Sequence, residues 1–155
     1  MSRAIEIRAA VEADIAELIA DLRPEDRDEG EAMLGPDFRA AVPAMLRRSN
    51  MAWTARRADG AMVAMFGIVP VSLLPGIGCP WMLGTPLVAR HARTLVRMAP
   101  RVVALMLAHF PRLENYVDAR NRLAIGWLRR MGFKLDDPAP FGVAGLPFHR
   151  FVMEG

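Results

Sequence analysis

The chain has 155 residues and a formal net charge of +3; 53% of its residues are hydrophobic and 24% are charged. This composition excludes a disordered chain, and the length predicts a single domain over residues 1–155. The small net charge argues against a nucleic-acid partner. The single cysteine, Cys79, excludes an internal disulfide; it is interpreted as a packed thiol in a reducing compartment.

The first predicted element is a strand over residues 4–10. Helical segments follow over 12–23, 23–35 and 36–49, each with apolar residues at helical spacing or a proline in its first turn. Asp59 and Gly60 then lie between two apolar runs, which predicts a hairpin turn between strands of about 52–58 and 61–69.

No charged residue occurs between Gly60 and Ala89, a stretch long enough to span a bilayer. Four prolines interrupt it, and each would remove a helical hydrogen bond that lipid cannot replace. The sequence therefore predicts two buried strands joined by a Pro/Gly loop over 70–80, and no membrane partner. The charged N-terminal residues do not predict a signal peptide.

Four strands and two helical regions are predicted for the rest of the chain. A strand over 79–85 precedes a helix that begins at Pro86 and is kinked or restarted at Pro100. An alternating strand over 113–119 precedes a helix capped by Asn121. Strands beginning at Phe133 and over 147–153 complete an α/β (α+β) fold: a mixed central sheet of about six to seven strands with helices on both faces.

This element order resembles the GNAT (Gcn5-related N-acetyltransferase) superfamily. Asn121, Ala124, Gly132 and Phe133 match its Asn-x-x-Ala motif with a following Gly-Phe. The segments "VAMFGIVP", "GCPWMLGT", "RLENYVDARNRLAIGWLRRMGF" and "PFGVAGLPFHRF" also resemble a phage and prophage family labelled GNAT-like or internal virion protein A. The superfamily resemblance implies that strands 80–84 and 113–118 run parallel and splay apart around an acyl-pantetheine cleft.

Two features depart from the pattern that the resemblance implies: the pyrophosphate loop and the proton donor. GNAT enzymes bind the coenzyme A pyrophosphate with Gln/Arg-x-x-Gly-x-Gly/Ala, but alignment on Arg90 puts Arg93 and Leu95 at the glycine positions. We expect Arg93 or Leu95 to fill this space, and Pro86 to remove one N–H donor. Leu128 stands where many GNAT enzymes have a proton-donating tyrosine.

The leading hypothesis is therefore a phage-type virion or assembly component with a degenerate acetyl-CoA site and no cofactor. Its partners would be other virion proteins or a second copy of the chain, in the cytoplasm of a bacterial host or in a virion. The proposed contact surfaces are the loop 70–80 and an arginine face on the helix from Pro86. That face contains Arg90, Arg93, Arg97 and Arg101.

The alternative hypothesis is an active acetyl-CoA-dependent N-acetyltransferase with an unknown amine acceptor; a third is a small-molecule binding module. For the enzyme, the candidate bases or acids are Asp118, Glu114 and Tyr116, which share one strand face and also have a local structural interpretation. The cofactor-binding candidates are Arg90, Arg93 and Asn121. No metal site is predicted.

Overall fold

The computed structural model describes residues 4–155 except Ser72 and Leu74. In this part of the chain, eight strands form one sheet in the order β1-β2-β3-β4-β5-β8-β6, and β7 pairs with β8 off this path. The strands are Ile5–Ala9 (β1), Met51–Arg57 (β2), Met62–Pro70 (β3), Ile77–Gly84 (β4), Arg112–Asp118 (β5), Lys134–Leu135 (β6), Ala139–Phe141 (β7) and Leu146–Glu154 (β8). The helices are Ala13–Ala20 (α1), Pro24–Leu34 (α2), Val42–Arg48 (α3), Leu87–Arg90 (α4), Ala92–His109 (α5) and Arg122–Met131 (α6), with a 3₁₀ turn at Phe38–Ala41.

The predicted hairpin at Asp59-Gly60 is confirmed, since β2 and β3 pair antiparallel around it. Gly60 has a φ of 88°, a backbone conformation that side chains disfavour. The Asp59 carboxylate accepts a hydrogen bond of 3.0 Å from the Ala61 N–H, which closes the turn.

The long uncharged segment forms the antiparallel strands β3 and β4, as predicted. No helix within the described residues is long and apolar enough to cross a membrane. The loop is shorter than predicted, because Pro70 belongs to β3 and β4 begins at Ile77. Most of the proposed contact surface 70–80 is therefore strand or turn, and Ser72 and Leu74 lie outside the described residues.

Strands β4 and β5 run parallel but pair at their first residues alone. Ile77 lies opposite Arg112 and Gly78 opposite Leu113, and the strands diverge after these two positions. This confirms the predicted splay. The gap widens toward the carboxyl ends of both strands, where the helical connections begin.

Helices cover both faces of the sheet. Leu18 of α1 and Val42 of α3 pack against Met65 and Trp81 on one face. On the other face, α4, α5 and α6 cover β3, β5 and β8. The buried residues of that second layer include Val63, Val88, Met106, Leu113, Val117, Ile125 and Phe151.

Two helix predictions need correction. The helix from Pro86 is not continuous: α4 ends at Arg90, and α5 begins at Ala92 after a non-helical His91. Pro100, in contrast, lies inside α5 without ending it. It is on the exposed side of the helix, where water can bond the carbonyl that proline leaves free. The three-residue strand β7 was not predicted.

Candidate active site

A cavity of about 530 Å³ passes through the gap between β4 and β5. It is lined by residues from both helical layers and from the two strands. The α2–α3 side contributes Glu29, Met33, Phe38, Val42 and Met45; the α5–α6 side contributes Leu95, Val102, Ala124, Trp127 and Leu128; the strands contribute Pro80, Met82, Asn115 and Tyr116. The splay therefore connects the two faces of the sheet.

The backbone of β4 presents few free donors to this gap. Thr85 N donates to Val63 O of β3, whereas Gly84 N points the other way and donates to Asp26. Because backbone groups alternate along a strand, the N–H groups of even-numbered residues in β4 face the gap. Pro80 has no N–H, so Met82 supplies the donor in the middle of the gap.

The side chain of Asn115 bridges the two strands where they begin to separate. Its Nδ2 donates a hydrogen bond of 2.7 Å to Pro80 O, and its Oδ1 accepts one of 2.8 Å from Tyr116 N. One amide group thus replaces the missing backbone ladder, and it fixes the width of the gap at its narrow end.

Helix α2 crosses the wide end of the gap. Its preceding residue Arg23 donates its backbone N–H to Gly84 O at 2.8 Å. Asp26 Oδ2 accepts a hydrogen bond of 2.7 Å from Gly84 N, and Glu29 Oε1 accepts one of 2.8 Å from Asp118 N. Two carboxylates on successive turns of one helix therefore bind the ends of β4 and β5.

These carboxyl groups lie in a poorly solvated environment. Burial raises the pKa of Asp26, although the buried Arg23 guanidinium lies 2.9 Å from it and opposes the shift. Burial raises the pKa of Glu29 to about 7, and the nearby carboxylates of Asp26 and Asp118 add to the effect. Glu29 is thus a carboxyl group that changes charge near neutral pH.

Asn121 begins α6, as predicted, but it does not cap the helix with its side chain. Its Nδ2 lies 3.4 Å from Asp26 Oδ1 and 3.4 Å from Glu29 Oε1. The residue is 2% exposed, and its Oδ1 has no hydrogen-bond partner among the described residues. The capping prediction is wrong because the two α2 carboxylates, distant in sequence, attract the amide hydrogens.

Glu114, Tyr116 and Asp118 share a strand face, but the cavity is lined by Tyr116 and not by the two carboxylates. Tyr116 stacks on Phe141 with ring centroids 3.8 Å apart. Glu114 accepts hydrogen bonds from Arg112 and Arg150, which occupy both of its oxygens.

Asp118 is bound by Arg120, whose guanidinium approaches it to 2.7 Å. Burial opposes ionisation of Asp118, but the hydrogen bonds from Arg120 outweigh it and hold its pKa below the ordinary value. Asp118 and Glu114 are therefore both engaged in ion pairs with arginine side chains.

A second hollow, of about 300 Å³, lies at the junction of α4 and α5 and is lined by residues 89–94. The N–H groups of Ala92, Arg93 and Thr94 begin α5 and have no helical acceptor. Arg90 and Arg93 are exposed, and neither forms an ion pair within the described residues. This arrangement of donors and cations suits an anion.

The sequence predicted that Arg93 or Leu95 fills the pyrophosphate space. Arg93 is exposed and lines this hollow, whereas Leu95 packs against the cluster around Val88. Pro86 precedes α4 and removes no donor from α5. The prediction assumed one continuous helix, whereas the break at His91 creates a new helix N-terminus.

Sequence reasoning missed Asp26 and Glu29. Acidic residues near the start of a helix have an adequate local explanation, since they favour its positive end. Their hydrogen bonds to Gly84 and Asp118 join residues 58 and 89 positions apart. No local pattern contains that information. Cys79 is a packed residue of β4, where burial and then Glu114 raise the pKa of its thiol to about 11.

No protein-family model and no curated protein matches the sequence. Solved structures, in contrast, do match this chain. Aminoglycoside acetyltransferase AAC(6')-Ib in complex with coenzyme A superposes with a TM-score of 0.70 at 17% identity, over 97% of this chain and 95% of that one. A GCN5-related N-acetyltransferase from Kribbella flavida gives 0.71 at 17%, over 98% of both chains. Spermidine N-acetyltransferase from Vibrio cholerae with CoA and spermine gives 0.68 at 12%, over 99% and 96%.

The chain has the GNAT fold. The predicted fold class is thereby confirmed. The sheet has eight described strands, where about six to seven were predicted. The narrower resemblance to the phage family gains no support from these comparisons. At such low identities the superpositions establish the GNAT architecture and leave the chemistry to the residues of this chain.

Proposed function

We propose that this protein is an acetyl-CoA-dependent N-acetyltransferase. The observation that carries the proposal is the continuous cavity through the splay of β4 and β5, with cationic residues at the start of α5 and a carboxylate cluster on α2. An enzyme that joins an anionic acyl donor to an amine needs these opposite charges at its two binding sites.

The residues at the start of α5 fit the phosphate groups of coenzyme A. Three free backbone N–H groups lie beside the unpaired guanidinium groups of Arg90 and Arg93, and this donor set needs no glycine. The Met82 N–H is a donor for the amide or thioester part of the molecule. Acetyl-CoA, when bound, supplies an acetyl thioester whose C–S bond is replaced by a C–N bond to the amine.

Apart from Tyr116, the other candidate residues are assigned roles that differ from those predicted from the sequence. Asn121 is assigned to the acceptor side, because its amide contacts the α2 carboxylates. Tyr116 remains a candidate proton donor, since its ring lines the cavity and its hydroxyl forms no hydrogen bond with the described residues. The ion pairs of Glu114 and Asp118 favour structural roles.

The solved GNAT-fold structures support this assignment over a virion component. Those named above are an aminoglycoside acetyltransferase, a spermidine N-acetyltransferase and a further N-acetyltransferase. None of these similar structures is described as a virion protein.

The test is calorimetric titration of the purified chain with coenzyme A and acetyl-CoA, followed by an assay of thiol release with a panel of primary amines. Binding at micromolar concentration and amine-dependent thiol release are expected. Absence of coenzyme A binding at millimolar concentration contradicts the proposal, whereas binding without turnover of any amine favours a binding module.

A further inference from the structure

A group of hydrogen-bond acceptors lies on the α2 side of the cavity. Asp26, Glu29 and Asn121 come from α2 and from the start of α6, and all three line the cavity. The Asn121 Nδ2 links the two carboxylates at 3.4 Å from each. This contact orients the amide so that its oxygen faces away from the carboxylates.

Two acceptor atoms of this group have no partner within the described residues. Asn121 Oδ1 is buried and makes no hydrogen bond. Glu29 uses Oε1 for both of its hydrogen bonds, and Oε2 makes none. A buried acceptor left without a donor costs about 1–3 kcal/mol, so Asn121 Oδ1 calls for a ligand that donates N–H or O–H groups. Glu29 Oε2, which is not fully buried, is a second free acceptor for the same ligand.

The charges around Glu29 favour a cationic donor. Arg23 is already engaged with Glu25 and Asp26, and Arg120 is engaged with Asp118. Glu29 forms no ion pair with a described residue, and the acidic groups Asp26 and Asp118 lie close to it. A protonated amine supplies both the missing charge and the N–H donors.

The walls next to this group are apolar. Met33, Phe38, Val42, Met45 and Tyr116 line the cavity on the same side, and Arg23 and Arg48 are the cations among the described lining residues. Asp26 and Glu29 are the acidic residues among the described lining residues. A polycation would bring further ammonium groups against apolar walls without partners, which is costly. An amine with one charge and an apolar body fits these walls.

Resting on the proposed function, we infer that Glu29 and Asn121 bind the ammonium group of an apolar or aromatic primary amine, and that Glu29 takes a proton from it. One proton moves from the ammonium nitrogen to Glu29 Oε2, and the N–H bonding pair becomes the lone pair of the neutral amine. The cavity walls select the apolar body of the acceptor.

The first test is calorimetry of 2-phenylethylamine binding to the full chain and to the Glu29→Gln and Glu31→Gln variants. Glutamine preserves the acceptor for Asp118 N and removes the charge. Since Glu29 has a pKa of about 7, wild-type affinity should be about tenfold higher at pH 8 than at pH 6. Glu29→Gln should bind at least tenfold more weakly at pH 8 and lose this dependence. Glu31, on the same helix but paired with Arg39, is the control and should match the wild type.

A second measurement uses the wild type alone, in case Glu29→Gln does not fold. Titration at pH 6 in two buffers of different ionisation enthalpy should detect release of a proton on amine binding, because the ammonium favours the Glu29 carboxylate. Equal heats in the two buffers, or wild-type affinity in a folded Glu29→Gln variant, would overturn the inference.

The third test compares acceptor classes. We expect 2-phenylethylamine to bind more tightly than spermine or ribostamycin and, in the assay, to have the highest kcat/KM with a Glu29-dependent acidic limb near pH 7. Tighter binding of either polycation would contradict the selection for an apolar body. These titrations need no coenzyme A, so their failure is distinguishable from failure of the proposed function, which appears as loss of coenzyme A binding.

Discussion

The Nδ2 of Asn115 donates a 2.7 Å hydrogen bond to the carbonyl oxygen of Pro80 across the diverging strands β4 and β5. This bond exists because Pro80 provides an acceptor but no N–H, so a regular ladder cannot continue there. The bridge therefore sets where the sheet opens and where the cavity begins.

Replacing Asn115 with alanine should destabilise the fold. It leaves the Pro80 carbonyl and the Tyr116 N–H without partners, which predicts a loss of about 1–3 kcal/mol in the free energy of unfolding. Urea denaturation measures this loss. Asn50→Ala is the control, because Asn50 is exposed and its side chain makes no hydrogen bond with described residues; its change should stay within about 0.5 kcal/mol. Equal stability of the two variants would mean that the bridge is unimportant.

Arg90→Ala and Arg93→Ala should each weaken coenzyme A binding roughly tenfold, the effect of losing one charge-assisted hydrogen bond. Calorimetry at two salt concentrations measures the loss, which should shrink at high salt. Arg101→Ala is the matched control: Arg101 is also exposed and unpaired among the described residues, but it lies outside the hollow. An equal loss in all three variants would indicate general charge attraction rather than a site.

The stability of the protein should fall as Glu29 ionises. Its pKa is raised from 4.5 to about 7 in the folded state, so its contribution is fully present below pH 4.5 and is lost as pH rises through 7. The stability of the wild type relative to Glu29→Gln should therefore decline by roughly 3 kcal/mol between pH 4.5 and pH 8. Chemical denaturation across this range measures it, with Glu31→Gln as reference. If the difference in stability between the wild type and Glu29→Gln did not change with pH, the pKa of Glu29 in the folded protein would be its ordinary value of 4.5.

Asp118→Asn and Glu114→Gln should alter stability without altering the pH dependence of kcat/KM. Both residues form ion pairs outside the cavity lining. The loss for Asp118→Asn should be about 1–3 kcal/mol at pH 7. Because the folded-state pKa of Asp118 is lowered, this difference should vanish as pH falls below the ordinary value of 3.8. A large loss of activity with unchanged stability would restore either residue as a catalytic candidate.

Cys79 should react slowly with iodoacetamide. With a thiol pKa of about 11, its thiolate fraction at pH 8 is roughly a hundredfold below that of an ordinary cysteine. The alkylation rate of the native protein, compared with the same protein in denaturant, measures the difference. Similar rates in the two states would contradict the burial of this thiol.

The features predicted correctly from sequence are those that neighbouring residues determine. Asp59-Gly60 specifies a turn, and Gly132 ends α6 with a φ of 99°. The splay of β4 and β5 was expected from the GNAT resemblance. The acceptor group was not found, since Glu29 acquires its raised pKa and its partners from β5, 89 residues away. The hollow at the start of α5 was not predicted, because His91 interrupts a helix that the apolar spacing predicts to be continuous.

Helix α2 is tied to three distant parts of the chain: Gly84, Asp118 and, through Met33 O, the N–H of Val143 in the turn after β7. Each tie closes a loop of many residues, and contacts of such sequence separation form slowly and late. A nascent chain has therefore made β1 to β4 long before the residues that complete the carboxylate group leave the ribosome. The pocket is therefore incomplete until β5 and the start of α6 have been made, so shorter nascent chains expose no finished pocket to their ligands.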